Sequence, residues 1–211
     1  MKKRLLLLLT GFLLIIFIIV LIMFLGIEKE PPETNIPPSI PQKETVKSEE
    51  LPYDKLFISP QRQKYKDKSL ILKIPKLNID SPIVNGTTLD DLKRGPGLYE
   101  YAQLPTEKIA NTSIAGHRDI HGSIFYHLNE LKDGDFCYLI YQDQVYRYQY
   151  QDTNIVEQDD WSPIYNQGFS CLTLTTCEPI GVSDHRLIVI CSLSEQKPLT
   201  NDYQFTSAAP K

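Results

Sequence analysis

The sequence predicts a mainly β domain, folded as a closed or nearly closed barrel and preceded by a transmembrane helix. Two observations predict the barrel: many short apolar runs are separated by turn residues, and few stretches show helical periodicity. A third observation, an uncharged apolar run near the N-terminus, predicts the transmembrane helix. The strand pattern alone is also compatible with a β-sandwich.

The first predicted element is the apolar run at residues 5–26, which carries no charge. A helix rises about 1.5 Å per residue, so this run crosses the ~30 Å hydrocarbon core of a bilayer. The alternative is a cleavable signal peptide, but its apolar region is usually about 7–15 residues and ends in small residues, unlike the segment before Gly26. Basic residues precede the run, so the positive-inside rule places residues 1–4 in the cytoplasm and everything after the run outside the cell.

Residues 27–68 are predicted to form an extended spacer. Seven of the 15 prolines lie between Pro31 and Pro60, and no aromatic residue follows the apolar run before Tyr53. Such a segment buries too little apolar area to offset its ordering entropy, and its prolines favour polyproline II conformation. Its last part, residues 51–68, is more mixed and is compatible with a short helix packed on the domain.

The folded domain is predicted to span residues 69–196, followed by a C-terminal tail at 197–211. Its strands are predicted from short runs rich in β-branched, aliphatic or aromatic residues, at 70–74, 113–116, 138–141, 145–150, 170–176 and 186–193.

Turns and two short helices separate these strands. Asp133-Gly134 marks a turn, and Gly95-Pro96-Gly97 marks a chain reversal or loop. One helix is predicted at 89–93 and the other at 123–131. The second helix would place four apolar residues on one face: Ile124, Phe125, Leu128 and Leu131.

Charge and composition exclude some classes of function. The formal net charge is −4, and without the three basic residues at 2–4 the remaining 19 basic and 26 acidic residues give −7. A nucleic-acid-binding protein needs a basic surface, so no nucleic-acid partner is expected. Four cysteines are too few for a disulfide framework, and no C-x-x-C pair indicates zinc.

Three residues at predicted strand ends have catalytic chemistry: His117, Cys177 and Arg186. Taken singly, each has a structural explanation, since a strand cysteine is usually a small buried apolar residue and a lone arginine is usually solvated. Together they indicate a site for nucleophilic catalysis. A thiol needs a neighbouring base, which His117 supplies, and an acyl-transfer intermediate needs positive charge, which Arg186 supplies. Sequence spacing alone does not show that they meet.

The same segments resemble the sortases, membrane-anchored cysteine transpeptidases of Gram-positive bacteria. The resemblance covers residues 70–193. It rests on four motifs, which are the T-L-T-T-C run ending at Cys177, the R-L-I-V run starting at Arg186, the G-H-R around His117 and the F-x-x-L-x-x-L-x-x-G-D stretch at 125–135.

The resemblance implies a closed eight-stranded β-barrel in which Cys177 attacks the Thr–Gly bond of an L-P-x-T-G-like sorting signal. His117 would act as general acid and base, and Arg186 would bind the substrate backbone and stabilise the oxyanion, where Thr176 would assist. The implied partners are exported proteins that carry a sorting signal and an amine acceptor on a cell-wall precursor or a pilin. No cofactor is implied.

The single N-terminal anchor and compact domain are similar to class A or class D sortases, and class D is preferred. A second apolar span near the C-terminus and an Asp-Pro-aromatic lid motif are both missing, which argues against class C. Glu178-Pro179 puts an acidic group next to the expected nucleophile, but the sequence does not indicate what this group selects.

Neither of two candidate metal sites is expected. The spacing of His117, His121 and His127 matches no strong zinc motif. The acidic residues before Trp161 are read as a solvated loop in preference to a calcium site. These acidic residues are Glu157, Asp159 and Asp160.

One alternative function stays open, a non-catalytic membrane-tethered β-barrel that binds a partner. The remaining cysteines, Cys137, Cys171 and Cys191, are expected to be reduced core residues. A hairpin with Cys177 opposite position 185 would place Cys171 opposite Cys191, where strand geometry seldom suits a relaxed disulfide.

Overall fold

A computed structural model describes residues 58–209. The predicted cytoplasmic residues 1–4, the predicted anchor at 5–26 and most of the predicted spacer lie outside the described residues. Within residues 58–209, no helix has the length and apolar composition that crossing a bilayer requires.

The described chain consists mainly of β-strands, joined by one-turn helices and 3-10 turns. The strands are β1 (Ile71–Ile74), β2 (Ile79–Pro82), β3 (Val84–Asn85), β4 (Gly97–Leu98), β5 (Asn111–Ala115), β6 (Phe136–Tyr141), β7 (Gln144–Glu157), β8 (Cys171–Glu178) and β9 (His185–Pro198). The helices are α1 (Pro60–Gln63) and α2 (Leu89–Leu92), and the 3-10 turns are Pro75–Leu77, Leu128–Glu130 and Ser162–Ile164.

These strands form one sheet whose two edges are joined by the chain itself, in the order β2-β1-β6-β7-β9-β8-β5-β4-β3. The edge strands β2 and β3 are separated only by Ile83. The Ile83 N–H donates to the Leu70 carbonyl at 2.8 Å, and the Val84 N–H donates to the Pro96 carbonyl at 2.8 Å. Therefore β2 and β3 act as one interrupted strand, and the sheet is a nearly closed barrel of eight strands. This confirms the predicted mainly β barrel and excludes the sandwich.

All six predicted strands are present, whereas the sequence pattern does not predict β2, β3 and β4. Strand β2 contains Asp80 and Pro82, which are depleted in strands. Strands β3 and β4 have two residues each, too few to show alternation. Gly97 of β4 also lies in the Gly-Pro-Gly segment that predicts a loop, so the sequence indicates a loop where the structure has a short strand.

The predicted helix at 123–131 is wrong, because this segment contains only the 3-10 turn Leu128–Glu130. Ser123, the first residue of the predicted helix, adopts a φ of +48°, which a right-handed helix does not allow. The Phe125 N–H donates to the His117 carbonyl at 3.0 Å, which ties the segment to the chain after β5. Its apolar side chains are nevertheless buried as expected, at Phe125, Leu128 and Leu131. By contrast, α2 confirms the helix predicted at 89–93.

The barrel interior is filled by aliphatic and aromatic side chains. In β1, Leu72 and Ile74 are buried while the alternate residues are partly exposed, as expected for a strand with one face on the core. Burying one such aliphatic side chain contributes about 1.5–3 kcal/mol. Facing strands supply further fully buried residues, including Leu139, Tyr146, Leu174 and Val189.

Strands β5 and β8 are buried on both faces, which makes them a rigid support for the residues that follow them. Their polar side chains are satisfied internally. The Thr173 hydroxyl donates to the Asn111 side-chain oxygen at 2.8 Å, and the Ser113 hydroxyl donates to the Ile164 carbonyl at 3.1 Å. The 3-10 turn Ser162–Ile164 therefore covers the outer face of this strand pair.

The segment before residue 69 also packs on the barrel. Pro60 occupies the first turn of α1, and Ser59 caps the helix by accepting from the Arg62 N–H at 3.0 Å. The Arg62 side chain is buried and donates to the carbonyls of Leu98 and Tyr99 at 3.3 and 3.0 Å. Helix α1 lies within the stretch in which the sequence is compatible with a short helix.

The C-terminal tail covers the outer face of β6. Tyr203 and Phe205 pack on Phe136 and Tyr138 with edge-on ring contacts, and we call these four residues the outer aromatic cluster. The Tyr138 hydroxyl also donates to the Thr206 carbonyl at 2.8 Å. The packed region thus continues beyond residue 196.

The β8–β9 register differs by one residue from the one expected. Cys177 lies opposite Arg186, so Cys171 lies opposite Ser192 instead of Cys191. Cys191 approaches Cys137 instead, with an Sγ–Sγ distance of 3.9 Å, about twice the length of a disulfide bond. All four cysteines are free thiols in the structure.

Candidate active site

The strand order brings the ends of β5, β8 and β9 to one edge of the barrel. Strands β5 and β8 are parallel, with Ala115 opposite Thr175, so His117 and Cys177 follow their strand pairing at the same end. Strands β8 and β9 are antiparallel, and Cys177 lies directly opposite Arg186. The sequence separates His117 from Cys177 by 60 residues, and the sheet brings them together.

All four residues proposed from the sequence line a single cleft of about 270 Å³. They are His117, Thr176, Cys177 and Arg186. The rest of the cleft is mostly apolar and aromatic, and includes Leu89, Leu92, Tyr99, Trp161, Pro163, Ile164 and Ile188. A narrow, mainly apolar groove with a few convergent polar groups is the usual form of a ligand site.

Cys177 differs from the other three cysteines in its exposure. Cys177 is partly exposed to the cleft, whereas Cys137, Cys171 and Cys191 are at most 1% exposed. Burial raises the pKa of the Cys171 thiol to about 12, which keeps it protonated. Cys177 is therefore the thiol that a substrate or electrophile can reach.

His117 is nearly buried, and this controls its charge. Desolvation lowers the pKa of the imidazole from its usual value, the nearby His121 lowers it further, and the Asp119 carboxylate opposes both effects. The His117 ring is therefore neutral at pH 7. Its Nε2 atom is buried and makes no hydrogen bond to the residues the structure describes, so it is free to accept a proton in the cleft.

Arg186 is held by its own loop. Its Nη1 donates to the Ser183 carbonyl at 2.9 Å and to the His185 carbonyl at 2.8 Å. Both contacts use the same nitrogen, so the Nε and Nη2 groups keep N–H donors for a bound peptide. The guanidinium is thus fixed by its loop, on the residue that lies opposite Cys177 in the β8–β9 pair.

Thr176 contributes through its contact with the chain after β5. Its hydroxyl donates to the Gly116 carbonyl at 2.7 Å, and the side chain is buried. The hydroxyl proton is therefore engaged by the main chain next to His117. Thr176 connects the strand that carries Cys177 to the segment that carries His117.

Tyr99 and Trp161 are cleft residues that the sequence does not indicate. The Tyr99 hydroxyl is 2.8 Å from the Thr175 hydroxyl, and burial raises the pKa of this phenol. The Tyr99 and Trp161 rings meet edge to face with centroids 6.3 Å apart. Trp161 is 52% exposed, an unusual state for the chain's one tryptophan. Neither residue belongs to a catalytic motif, so only their position at the cleft identifies them.

The histidines do not converge as a metal site. The rings of His117 and His121 lie 5.2 Å apart, but His127 faces away and contacts Glu130, with Nδ1 2.7 Å from Oε1. Within residues 58–209, no group of three or more His, Cys, Asp or Glu side chains has an arrangement that could hold a metal ion.

The acidic residues before Trp161 make local contacts as well. The pKa of the Asp160 carboxyl is lowered by hydrogen bonds from the Ser162 side chain and from the Ser162 N–H, the latter at 2.9 Å. Glu157 lies opposite His185 in the β7–β9 pair. These contacts fit the solvated loop expected from the sequence.

Comparison with known proteins gives concordant matches. A family model described as "Sortase domain" matches residues 72–194. Sortase D of Bacillus subtilis is 38% identical over 123 residues, which are 56% of this chain and 60% of that protein. The chain therefore spans less than two thirds of the length of this relative.

Two solved structures show the same fold. Sortase E1 from Streptomyces coelicolor, solved with a tripeptide in its active site, is 29% identical with a TM-score of 0.61, over 65% of this chain and 94% of that one. Sortase C from Clostridium perfringens, solved with the C-terminal cell wall sorting motif, is 27% identical with a TM-score of 0.58, over 64% of this chain and 76% of that one. The family match runs from β1 into β9 and includes every cleft residue named from the sequence, and it spans more than half of the chain. The chain therefore belongs to the sortase family.

Proposed function

We propose that this protein is a cysteine transpeptidase that cleaves an LPxTG-like sorting signal after Thr and joins the acyl fragment to an amine. The observation that carries the proposal is the cleft itself. It holds an accessible thiol (Cys177), a neutral histidine (His117) and, on the residue opposite Cys177 in the β8–β9 pair, a fixed guanidinium (Arg186).

In the first half of the reaction, His117 takes the proton of the Cys177 thiol. The sulfur forms a bond to the carbonyl carbon of the substrate Thr, and the carbonyl oxygen becomes an oxyanion. The N–H groups of Arg186 stabilise that negative charge. The tetrahedral intermediate then breaks its C–N bond, His117 donates its proton to the leaving Gly amine, and a thioester remains on Cys177.

In the second half, an amine attacks the thioester carbonyl. His117 accepts the proton lost by the attacking amine, and that proton returns to the Cys177 sulfur when the C–S bond breaks. The products are a new amide and the free enzyme. Water in place of the amine would give simple hydrolysis, so the apolar lining of the cleft favours transfer by limiting the access of water.

Peptide-bound relatives support a peptide substrate. The Clostridium perfringens protein was solved with a C-terminal cell wall sorting motif and the Streptomyces coelicolor protein with a tripeptide in its active site. The apolar residues Leu89, Trp161 and Ile164 line the same cleft as Cys177 in this chain. They suit the apolar side chain that begins such a motif.

The proposed setting is the outer face of the cell membrane. The uncharged run at 5–26 serves as a single-pass anchor with residues 1–4 in the cytoplasm, and the Pro-rich segment holds the domain outside. The proposed partners are exported proteins with a sorting signal and a cell-wall amine. Protease added outside intact cells is expected to release the domain by cutting in the segment 27–57. A domain that stays protected until the cells are lysed would reverse this orientation.

The full-length chain, purified in detergent, tests the proposed reaction. It is incubated with a panel of sorting-motif peptides and an amine, and mass spectrometry identifies which peptide is cut after Thr and joined. We expect turnover that is lost in Cys177→Ala. Full turnover in Cys177→Ala would contradict the mechanism, and peptide binding without any cleavage by the unaltered chain would favour the non-catalytic binding module.

A further inference from the structure

Behind the cleft lies a buried ion pair that the proposed mechanism does not use. Arg118 follows the proposed base and Glu178 follows the proposed nucleophile, and their side chains contact each other. The Arg118 side chain is 6% exposed and that of Glu178 is 22% exposed. A buried cation without a partner is strongly unfavourable, so Glu178 makes the burial of Arg118 tolerable.

The guanidinium of Arg118 also contacts the main chain at the nucleophile. Its Nη1 donates to the Cys177 carbonyl at 3.2 Å, and its Nη2 donates to the Asn129 side-chain oxygen at 3.1 Å. The Nε atom is buried and makes no hydrogen bond to a described residue. Arg118 is therefore fixed through its two terminal nitrogens, one of which bonds Cys177 directly.

Two further bonds join the same pair of segments. The Asp119 carboxylate accepts from the Gly181 N–H at 2.7 Å, and the Thr176 hydroxyl donates to the Gly116 carbonyl at 2.7 Å. Residues 116, 118 and 119 are thus tied to the end of β8 or to the loop after it. These three ties flank His117 on both sides.

Packing against Phe125 also fixes the segment around His117. A Cβ atom on Gly116 would lie 2.5 Å from the Phe125 ring, so the main chain there rests directly on that ring. The Phe125 N–H also holds the His117 carbonyl. With the main chain held before, at and after residue 117, the direction of the imidazole is set by these contacts.

We infer that Arg118 and Glu178 are positioning residues, whose ion pair holds the main chains of Cys177 and His117 in the arrangement that proton transfer requires. This inference rests on the proposed transpeptidase function. A displacement of about 1 Å at reacting groups can cost about a hundredfold in rate. Loosening this link is therefore expected to lower kcat while leaving peptide binding in the cleft nearly unchanged.

The test compares Arg118→Lys, Glu178→Gln and a matched control, Glu157→Gln, in the full-length chain. Lysine keeps the charge but lacks the planar fork needed to reach Glu178, Cys177 and Asn129 together. Glu157 is an exposed acid on β7 that contacts His185 and not Arg118, so its change has the same chemistry outside the ion pair. For each variant, kcat is expressed per active site, counted by intact mass as chains that take up one iodoacetamide.

We expect Arg118→Lys and Glu178→Gln to lower kcat about tenfold or more, with KM within about twofold of the control. Equal kcat per titrated site in all three variants would overturn the inference, since a merely structural pair would change only the number of folded sites. If Glu178→Gln fails to fold, Glu178→Asp keeps the charge and moves the carboxylate by one methylene, and the same loss of kcat is expected.

The alkylation rate of Cys177 separates this inference from the proposed function, because it needs no peptide. A loosened link is expected to slow alkylation at pH 7 at least threefold relative to Glu157→Gln. If the unaltered chain turned over no peptide, the proposed function would fail while slower alkylation in Arg118→Lys still supported the positioning role. Alkylation at the control rate would contradict it.

Discussion

The cleft and the outer aromatic cluster lie on the same sheet but are stabilised by different interactions. At the cleft, directional polar contacts from Arg118, Asp119 and Thr176 join segments distant in sequence. In the outer cluster, Tyr203 and Phe205 mainly contribute apolar area. Polar bonds fix direction and tolerate little displacement, whereas aromatic burial supplies free energy and tolerates small shifts. We therefore expect changes at the cleft to affect rate and changes in the outer aromatic cluster to affect stability.

The largest expected effect is the loss of turnover in His117→Ala. Because the imidazole transfers protons in both halves of the proposed reaction, turnover should fall about a thousandfold or more. The melting temperature should change little. Assays of peptide transfer and thermal unfolding in parallel test this, with His121→Ala as the control that retains most activity. Equal loss of peptide transfer in both variants would contradict the proposed role of His117 as general acid and base.

The next effect concerns the outer cluster. Phe205→Ala removes a half-buried ring that meets the Tyr138 ring at a centroid distance of 5.2 Å. The free energy of unfolding should fall by about 1–2 kcal/mol, with kcat per active site unchanged. Denaturant unfolding measures the loss, and Ile155→Ala, at an exposed apolar position on β7, is the control. A matching fall in kcat would show that the two regions are coupled.

A change of pH is expected to have a smaller effect on the free energy of unfolding. Burial lowers the pKa of His117 in the folded state, so the unfolded chain binds a proton more readily below its ordinary value of about 6.5. The contribution of His117 to stability is therefore full above pH 6.5 and is lost as the pH falls toward the folded-state pKa. Unfolding measured at pH 5.5 and 7.5 should show a weaker pH dependence in His117→Gln.

The pKa of His185 is shifted in the opposite direction to that of His117. The Asp184 carboxylate raises the pKa of this exposed imidazole, so its contribution is present below pH 6.5 and lost as the pH rises through the folded-state pKa. His185→Gln should therefore shift the pH dependence in the other direction. Identical profiles for both variants would mean that other groups dominate the titration.

The smallest effect is expected for the oxidation state of the buried cysteines. Cys137 and Cys191 are buried neighbours, but their sulfurs are 3.9 Å apart and both strands would have to move to join them. Intact mass with and without a reductant should be the same for the native monomer. A difference of two protons would show that this pair bonds.

The sequence predicts the chemistry of the cleft better than its surroundings. His117, Cys177 and Arg186 stand out because each lies next to the beginning or the end of an apolar strand run. Tyr99 carries no such signal, since it reaches the cleft only after β4 pairs with β5. The Arg118–Glu178 pair is equally hidden, because two charges 60 residues apart become partners only when the parallel pair β5–β8 forms.

Fold prediction shows the same limit. Long strands with apolar side chains, such as β6 and β8, follow from local composition. The two-residue strands β3 and β4 depend on hydrogen bonds supplied by distant segments, and no local pattern requires them. The one-residue error in the β8–β9 register has a similar cause. The loop after Glu178 fixes the pairing of Glu178 with His185, and loop geometry is not readable from spacing alone.

The parallel pairing of β5 with β8 also determines when the proposed active site forms during folding. Parallel neighbours cannot join through a tight turn, and here the intervening chain contains β6, β7 and their loops. Contacts between residues so distant in sequence form slowly, because loop-closure entropy opposes them until much of the structure is in place. A nascent chain emerging from the ribosome therefore has no reactive site until β9 has been synthesised and docked. The proposed thioester with a peptide can therefore form only in a chain whose barrel is complete.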